Sequence, residues 1–105
     1  MGSQGVVNCK QAKYKQMTKS LQIQVYGRVQ GVNFRNAAQS KAVSLGITGY
    51  VKNMPDGSVY IAAEGAEEQL NSFVKWCQKG PSFASVTDIG TEDVPVSGYD
   101  DFTIR

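Results

Sequence analysis

What most narrows the choice of fold is a repeated change of hydrophobic period along the chain. Leu21, Ile23, Val25 and Val29 share one face of an alternating run, with Gln22, Gln24, Tyr26 and Arg28 on the other. A period of two is that of a half-buried strand. The period then lengthens. Phe34, Ala37, Ala38, Lys41, Ala42 and Leu45 recur at helical spacing, and Gly46 is placed as a left-handed stop. Alternation returns in ITGYVKN and SVYIAAEG, on either side of Met54-Pro55-Asp56-Gly57. Pro presets φ and Gly accepts positive φ, so residues 47–64 read as a β-hairpin. A second helical stripe follows in Leu70, Phe73, Val74 and Cys77. Glu67 and Glu68 in its first turn and Lys75 and Lys79 near its end both suit the helix dipole, and Gly80-Pro81 ends it. FASVTDIGTEDV and DFTIR read as one irregular strand and one short closing strand.

The resulting order, β-α-β-β-α-β with room for an extra terminal strand, is an α+β plan. It predicts a ferredoxin-like split β-α-β sandwich: a mixed but mainly antiparallel sheet with both helices on one face. Such a fold hosts many functions and decides none of them.

With 105 residues, 41% of them hydrophobic, the chain suits one domain with one modest core. Residues 1–19 show no clean period and are expected to be a disordered tail ahead of a domain over residues 20–105. The formal charge of +2 is misleading as an average. Lys10, Lys13, Lys15 and Lys19 lie in the tail, and residues 21–105 hold seven basic and nine acidic side chains. A domain of that balance lacks the basic face that nucleic-acid binding needs. No apolar run is long enough to cross a bilayer and no secretory leader is visible, so a cytoplasmic protein without membrane partners is the expectation. Val6 stands where a myristoylation signal wants Ser or Thr. There is no histidine, which removes Ser–His and Cys–His nucleophile activation and most zinc sites. Cys9 and Cys77 make a poor disulfide framework, and Cys77 falls on the apolar stripe of the second helix.

Chemistry concentrates in GRVQGVNFR, residues 27–35, where the first strand runs into the first helix at about Asn33–Phe34. Such a junction leaves backbone N–H groups without partners and adds the positive end of a helix dipole. Gly27 and Gly31 let successive N–H groups converge into an anion-binding nest. Arg35, in the first helical turn, can close that nest with a forked, permanently charged guanidinium. The combination suits a dianionic phosphoryl group, but no GK[ST] ending makes it a Walker loop. The bland alternative, glycines shaping a turn and an arginine in a surface ion pair, stays open at this level. The same holds for Asn53. Its strand is expected near the opening loop, and a carboxamide can orient a water but not act as a base. Before Pro-Asp-Gly, however, asparagine is more often a turn former.

Both motifs together resemble the acylphosphatases. The family's first signature, G-x-V-Q-G-V-x-F-R, is complete in GRVQGVNFR. The second, G-aromatic-V-K-N-x-x-x-G-x-V-x(5)-G, is complete in GYVKNMPDGSVYIAAEG. DFTIR is similar to the family's last strand, so the resemblance covers about residues 20–105. It implies hydrolysis of an acyl phosphate to a carboxylate and inorganic phosphate. By position, Arg35 corresponds to the phosphate-binding arginine and Asn53 to the water-positioning asparagine. The backbone N–H groups of Arg28, Val29, Gln30, Gly31, Val32, Asn33 and Phe34 correspond to the phosphate cradle. No metal, cofactor or covalent intermediate is implied, since phosphoryl transfer to water asks chiefly for positioning and charge stabilisation. A small-molecule acyl phosphate as substrate, inorganic phosphate as product and a monomeric chain complete the expectation.

Arg28 and Lys52 add positive potential near this end or are simply solvated, and receive no catalytic role. Trp76 is expected to pack partially, and Tyr26, Tyr50 and Tyr60 to pack across strands. Two rivals remain: a phosphate-binding or regulatory module on the same fold without turnover, and a nucleic-acid-binding sheet. The Arg35/Asn53 pair argues against the first, and the acidic balance of the domain against the second.

Overall fold

A computed structural model describes residues 18–105, so Cys9 and residues 1–17 of the expected tail lie outside the described residues. Seven elements follow in order. They are β1 (Thr18–Arg28), α1 (Phe34–Ser44), β2 (Thr48–Asn53), β3 (Val59–Ala66), α2 (Glu67–Lys79), β4 (Ser85–Val94) and β5 (Phe102–Ile104). The sheet runs β4-β1-β3-β2-β5. β1 is antiparallel to β3 and β4, β3 is antiparallel to β2, and only β5 is parallel to its neighbour, β2. This is the expected ferredoxin-like α+β sandwich, with the extra strand at the β2 edge.

Registers explain why the alternation works. Ile23 faces Ile61 and Val25 faces Val59 across β1 and β3, and Val51 faces Ile61 across β3 and β2. All five are fully buried. Phe34, Ala38 and Ala42 of α1 join Leu70, Phe73 and Cys77 of α2 to cover these residues in one core. Small residues on α1 let that helix approach the sheet closely, while Phe73 and Trp76 bring bulk from α2. Trp76 is half-buried, stacked on Phe73 with ring centroids 6.0 Å apart and tilted against Phe34 at 5.5 Å. Burial pushes the Cys77 thiol far above its ordinary range, so it is a core residue and no nucleophile.

β1 starts at Thr18, earlier than its alternation suggests, because Thr18 and Lys19 pair with Ala66 and Gly65 of β3. β4 is more regular than expected. It is a ten-residue edge strand whose one irregularity is a bulge in its pairing with β1 between Tyr26 and Gly27. The helix-free face carries tyrosines, as expected for Tyr50 and Tyr60, whose rings lie 6.0 Å apart. Tyr99 adds an edge contact to Tyr50 at 5.8 Å, whereas Tyr26 stands apart and partly exposed. Among the described residues no helix is long and apolar enough to cross a membrane.

The return to β5 depends on one carboxylate. Glu64 of β3 is only 3% exposed, yet it accepts hydrogen bonds from the backbone N–H groups of Ser97, Gly98 (3.0 Å) and Tyr99 (3.4 Å). Burial raises its pKa. The Ser97 and Gly98 N–H groups, the Ser20 hydroxyl and the Tyr99 N–H oppose this and hold it below its ordinary value of 4.5. The stability it contributes is therefore fully present above pH 4.5 and lost as pH falls through the lower folded value. Glu64→Gln should lose about 2 kcal/mol near neutral pH in urea unfolding, the usual range for hydrogen bonds to a charged group. Its deficit against wild type should shrink in acid. A deficit unchanged from about pH 7 to about pH 3 would deny the ionised carboxylate this role.

Candidate active site

β1 leaves the sheet at Arg28, and loop 29–33 carries the chain to α1. Gly27 has φ +121° and Gly31 φ +75°, but for different reasons. A Cβ on Gly27 would sit 2.2 Å from the Ser85 carbonyl, so Gly27 permits the close approach of β4 at the bulge. A Cβ on Gly31 would meet nothing within 4 Å, so that glycine is needed for its backbone angle alone. Asn33, the N-cap of α1, is also left-handed at φ +67°, and its side chain makes no cap hydrogen bond to the helix. Left-handed residues at 31 and 33 flank Val32, a curl of the kind that gathers N–H groups into an anion nest. Of the two glycines, then, Gly31 shapes the nest and Gly27 fits the sheet.

A pocket of about 160 Å³ opens where this loop meets the end of β2. Val29, Gly31, Asn33 and Phe34 line it from the loop and helix start, and Arg35 and Asn53 reach it from α1 and β2. The two candidate catalytic side chains, 18 positions apart in sequence, therefore share one cavity. Asn36 and Ile104 line it as well, and the sequence reading names neither for the site. Arg28, Gln30 and Val32 do not line it: Arg28 pairs with Ser85 in the sheet, and Val32 is buried in the core.

Arg35 is half-buried and makes no ion pair among the described residues. One guanidinium nitrogen, Nη1, donates to the Arg105 carbonyl at 3.1 Å. That bond, to a main-chain oxygen of the last residue of the sequence, orients the fork. Arg105 is itself fixed by its N–H, which donates to the Val51 carbonyl at 2.8 Å, and by its guanidinium stacked 3.8 Å from the centre of the Tyr50 ring. Lys52 projects over the Tyr50 and Tyr60 rings at 6.0 and 5.6 Å, on the helix-free face and away from the pocket lining.

Asn53 is not the turn former. That part is taken by Asp56, whose carboxylate accepts from the Ser58 N–H at 2.9 Å and from the Ser58 hydroxyl at 2.6 Å. Its pKa is lowered first by the hydroxyl and then by the N–H. Among the described residues the Asn53 carboxamide has no hydrogen-bond partner, which leaves its donor and acceptor both available at the pocket. A slightly larger hollow of about 200 Å³ lies on the helix-free face among Gln22, Gln24, Tyr26, Tyr60 and Glu92. It has a carboxylate and no cation, the reverse of what a phosphoryl group requires.

The pocket by Arg35 thus holds one cation, three asparagines and a run of backbone N–H groups, with no Asp, Glu, Cys or His side chain in its lining. It can bind an anion and orient water. Comparison with known proteins decides what anion chemistry this represents. The acylphosphatase family model matches residues 21–104. The chain belongs to the acylphosphatase family. It is 51% identical over 87 residues to an acylphosphatase of Thermotoga petrophila, covering 83% of this chain and 97% of that one. An acylphosphatase of Coxiella burnetii superposes with a TM-score of 0.85 at 33% identity, over 90% of this chain and 99% of that one. That of Bacillus subtilis superposes with a TM-score of 0.81 at 42% identity, over 83% of this chain and 98% of that one. The chain therefore matches these acylphosphatases over nearly their whole length.

Proposed function

We propose that this acylphosphatase hydrolyses acyl phosphates in the pocket between loop 29–33 and the end of β2, with Arg35 and Asn53 as its catalytic residues. The single observation that carries the assignment is the shared pocket: an arginine held by one nitrogen and an unpartnered asparagine line one cavity beside a left-handed loop. Arg35 and the N–H groups of the loop that opens on the pocket, residues 29–34, hold the phosphoryl oxygens and stabilise the charge that spreads over them in the transition state. The Asn53 carboxamide accepts from and donates to a water placed in line with the acyl oxygen. A bond forms between the water oxygen and phosphorus as the bond from phosphorus to the acyl oxygen breaks. The carboxylate leaves with the electron pair. As Asn53 cannot act as a base, the water's proton passes to a phosphoryl oxygen or to solvent, and inorganic phosphate forms. The carboxylate is a good leaving group, so no general acid is needed.

Metal independence belongs to the same proposal. It is supported by a lining without acidic, thiol or imidazole side chains and by the absence, among the described residues, of any cluster of three His, Cys, Asp or Glu side chains able to hold a metal. A single chain completes the pocket, which supports action as a monomer. A buried, unpaired Cys77 suits a reducing compartment such as the cytoplasm.

The test is release of inorganic phosphate from benzoyl phosphate by the pure protein, with and without a strong chelator. We expect equal rates in both. Intact benzoyl phosphate after incubation would leave a phosphate-binding module without turnover. A rate abolished by the chelator would overturn the metal-independent mechanism.

A further inference from the structure

We infer that Gln30 is a positioning residue of this reaction: its side chain sets where Asn53 stands relative to the phosphate cradle. The inference rests on the roles proposed above for Asn53 and for loop 29–33.

Gln30 sits in the middle of the cradle loop, but it does not line the pocket. Its carboxamide instead crosses to the β2–β3 turn. Nε2 donates to the Met54 carbonyl at 2.8 Å and to the Ser58 carbonyl at 2.9 Å, which uses both hydrogens of the amide. These two carbonyls mark the two limbs of the turn. Each also serves the turn's own hydrogen bonding: the Gly57 N–H donates to Met54 O at 3.1 Å and the Met54 N–H to Ser58 O at 2.8 Å. One side-chain nitrogen thus fastens the cradle loop to both ends of the segment that directly follows Asn53. Ser58 is held from a second side, where the Gln24 amide of β1 donates to its hydroxyl at 3.1 Å. Ser58 is only 2% exposed.

The need for such a bracket follows from Asn53 itself. The β2–β3 ladder ends at the pair Asn53–Val59, so Asn53 is the last paired residue of its strand. Its carboxamide touches no hydrogen-bond partner among the described residues. Its position is therefore set by backbone alone, and the backbone beyond it is fixed to the cradle through Gln30. Misplacing a reacting group by about 1 Å can cost on the order of 100-fold in rate. Phosphate binding is less exposed to that error, because Arg35 is carried by α1 and held at Arg105, not by the turn.

The two substitutions Gln30→Met and Asn53→Ala, alone and combined, separate this role from a merely structural one. Gln30→Met keeps the length of the side chain and loses both donors. With benzoyl phosphate as substrate, its kcat should fall about tenfold or more, while inhibition by inorganic phosphate stays within about twofold of wild type. In the Asn53→Ala background the same change should lower kcat by less than about twofold, since the water-positioning group is already gone. A kcat that falls equally in both backgrounds would overturn the inference. So would a Gln30→Met kcat within about twofold of wild type while Asn53→Ala alone is impaired; the Asn53 assignment would then stand and only the bracket would fall. If Asn53→Ala keeps its kcat, the proposed role of Asn53 fails and the bracket fails with it. Gln30→Leu supplies the same reading if Gln30→Met does not fold: it loses both donors without adding a charge, and should lose kcat alike.

Discussion

Arg35→Ala is expected to lose at least about 10³-fold in kcat/KM on benzoyl phosphate and to lose inorganic phosphate binding with it. The magnitude is that of removing a cation which neutralises the charge of a transferring phosphoryl group. The two losses should appear together, because the guanidinium meets substrate, transition state and product through the same oxygens. Geometry sharpens the expectation. Arg35 has no Asp or Glu partner among the described residues, and its one protein hydrogen bond there goes to the Arg105 main-chain oxygen at 3.1 Å. The guanidinium is therefore held in place by one nitrogen, and its other donors stay available to the anion. Arg35→Lys should recover only part of the activity. A lysine ammonium is a point charge on a flexible stem, and it cannot contact two phosphoryl oxygens in parallel while donating to the Arg105 carbonyl. Phosphate inhibition measured beside turnover checks the assignment. An Arg35→Ala protein whose phosphate affinity matched wild type would assign the anion to the loop N–H groups alone.

Much of the fold was legible because the period changes in the sequence are caused by the same burial that builds the core. β1, β2 and β3 are central strands with one face on the helices, so Ile23, Val25, Val51, Val59 and Ile61 alternate cleanly. β4 reads as irregular for a physical reason: at the sheet edge only a few of its positions, Val86 and Ile89 among them, reach the core. Glu64 shows where alternation misleads. It lies on the face of β3 away from the core, yet segment 97–99 folds over it from the far end of the sequence and buries it.

The site divides in the same way. Its chemical groups were legible because Arg35 and Asn53 sit in two contiguous motifs. What holds those groups was not, because the partners are backbone atoms brought together only by the fold. The Arg105 carbonyl that orients Arg35 and the Met54 and Ser58 carbonyls that receive Gln30 are common to every residue type. No side-chain pattern announces them. In sequence Gln30 is one more N–H of the cradle; in the structure its amide reaches the turn that follows Asn53. Whether Asn53 forms the turn could be decided only by finding Asp56 bonded to Ser58 in that part.

Asn53→Ala is expected to lower kcat about 100-fold or more on benzoyl phosphate, with the inhibition constant for inorganic phosphate within about threefold of wild type; loss of a single preorganised hydrogen-bonding group in a site commonly costs 10²–10³ in kcat. This split is the opposite of that for Arg35. Asn53 carries no charge and lines the wall across from the loop, so an anion can settle on Arg35 and the N–H groups without it. What disappears is the order imposed on the attacking water, which then approaches phosphorus from many directions and seldom in line. Asn53→Asp tests the same point from the other side. An aspartate keeps the shape and accepts from water, but it cannot donate, and its charge repels the phosphoryl oxygens in a pocket with one cation. It should therefore be impaired in both turnover and phosphate binding. Phosphate affinity that fell as far in Asn53→Ala as in Arg35→Ala would make Asn53 part of the cradle and leave the water without its guide.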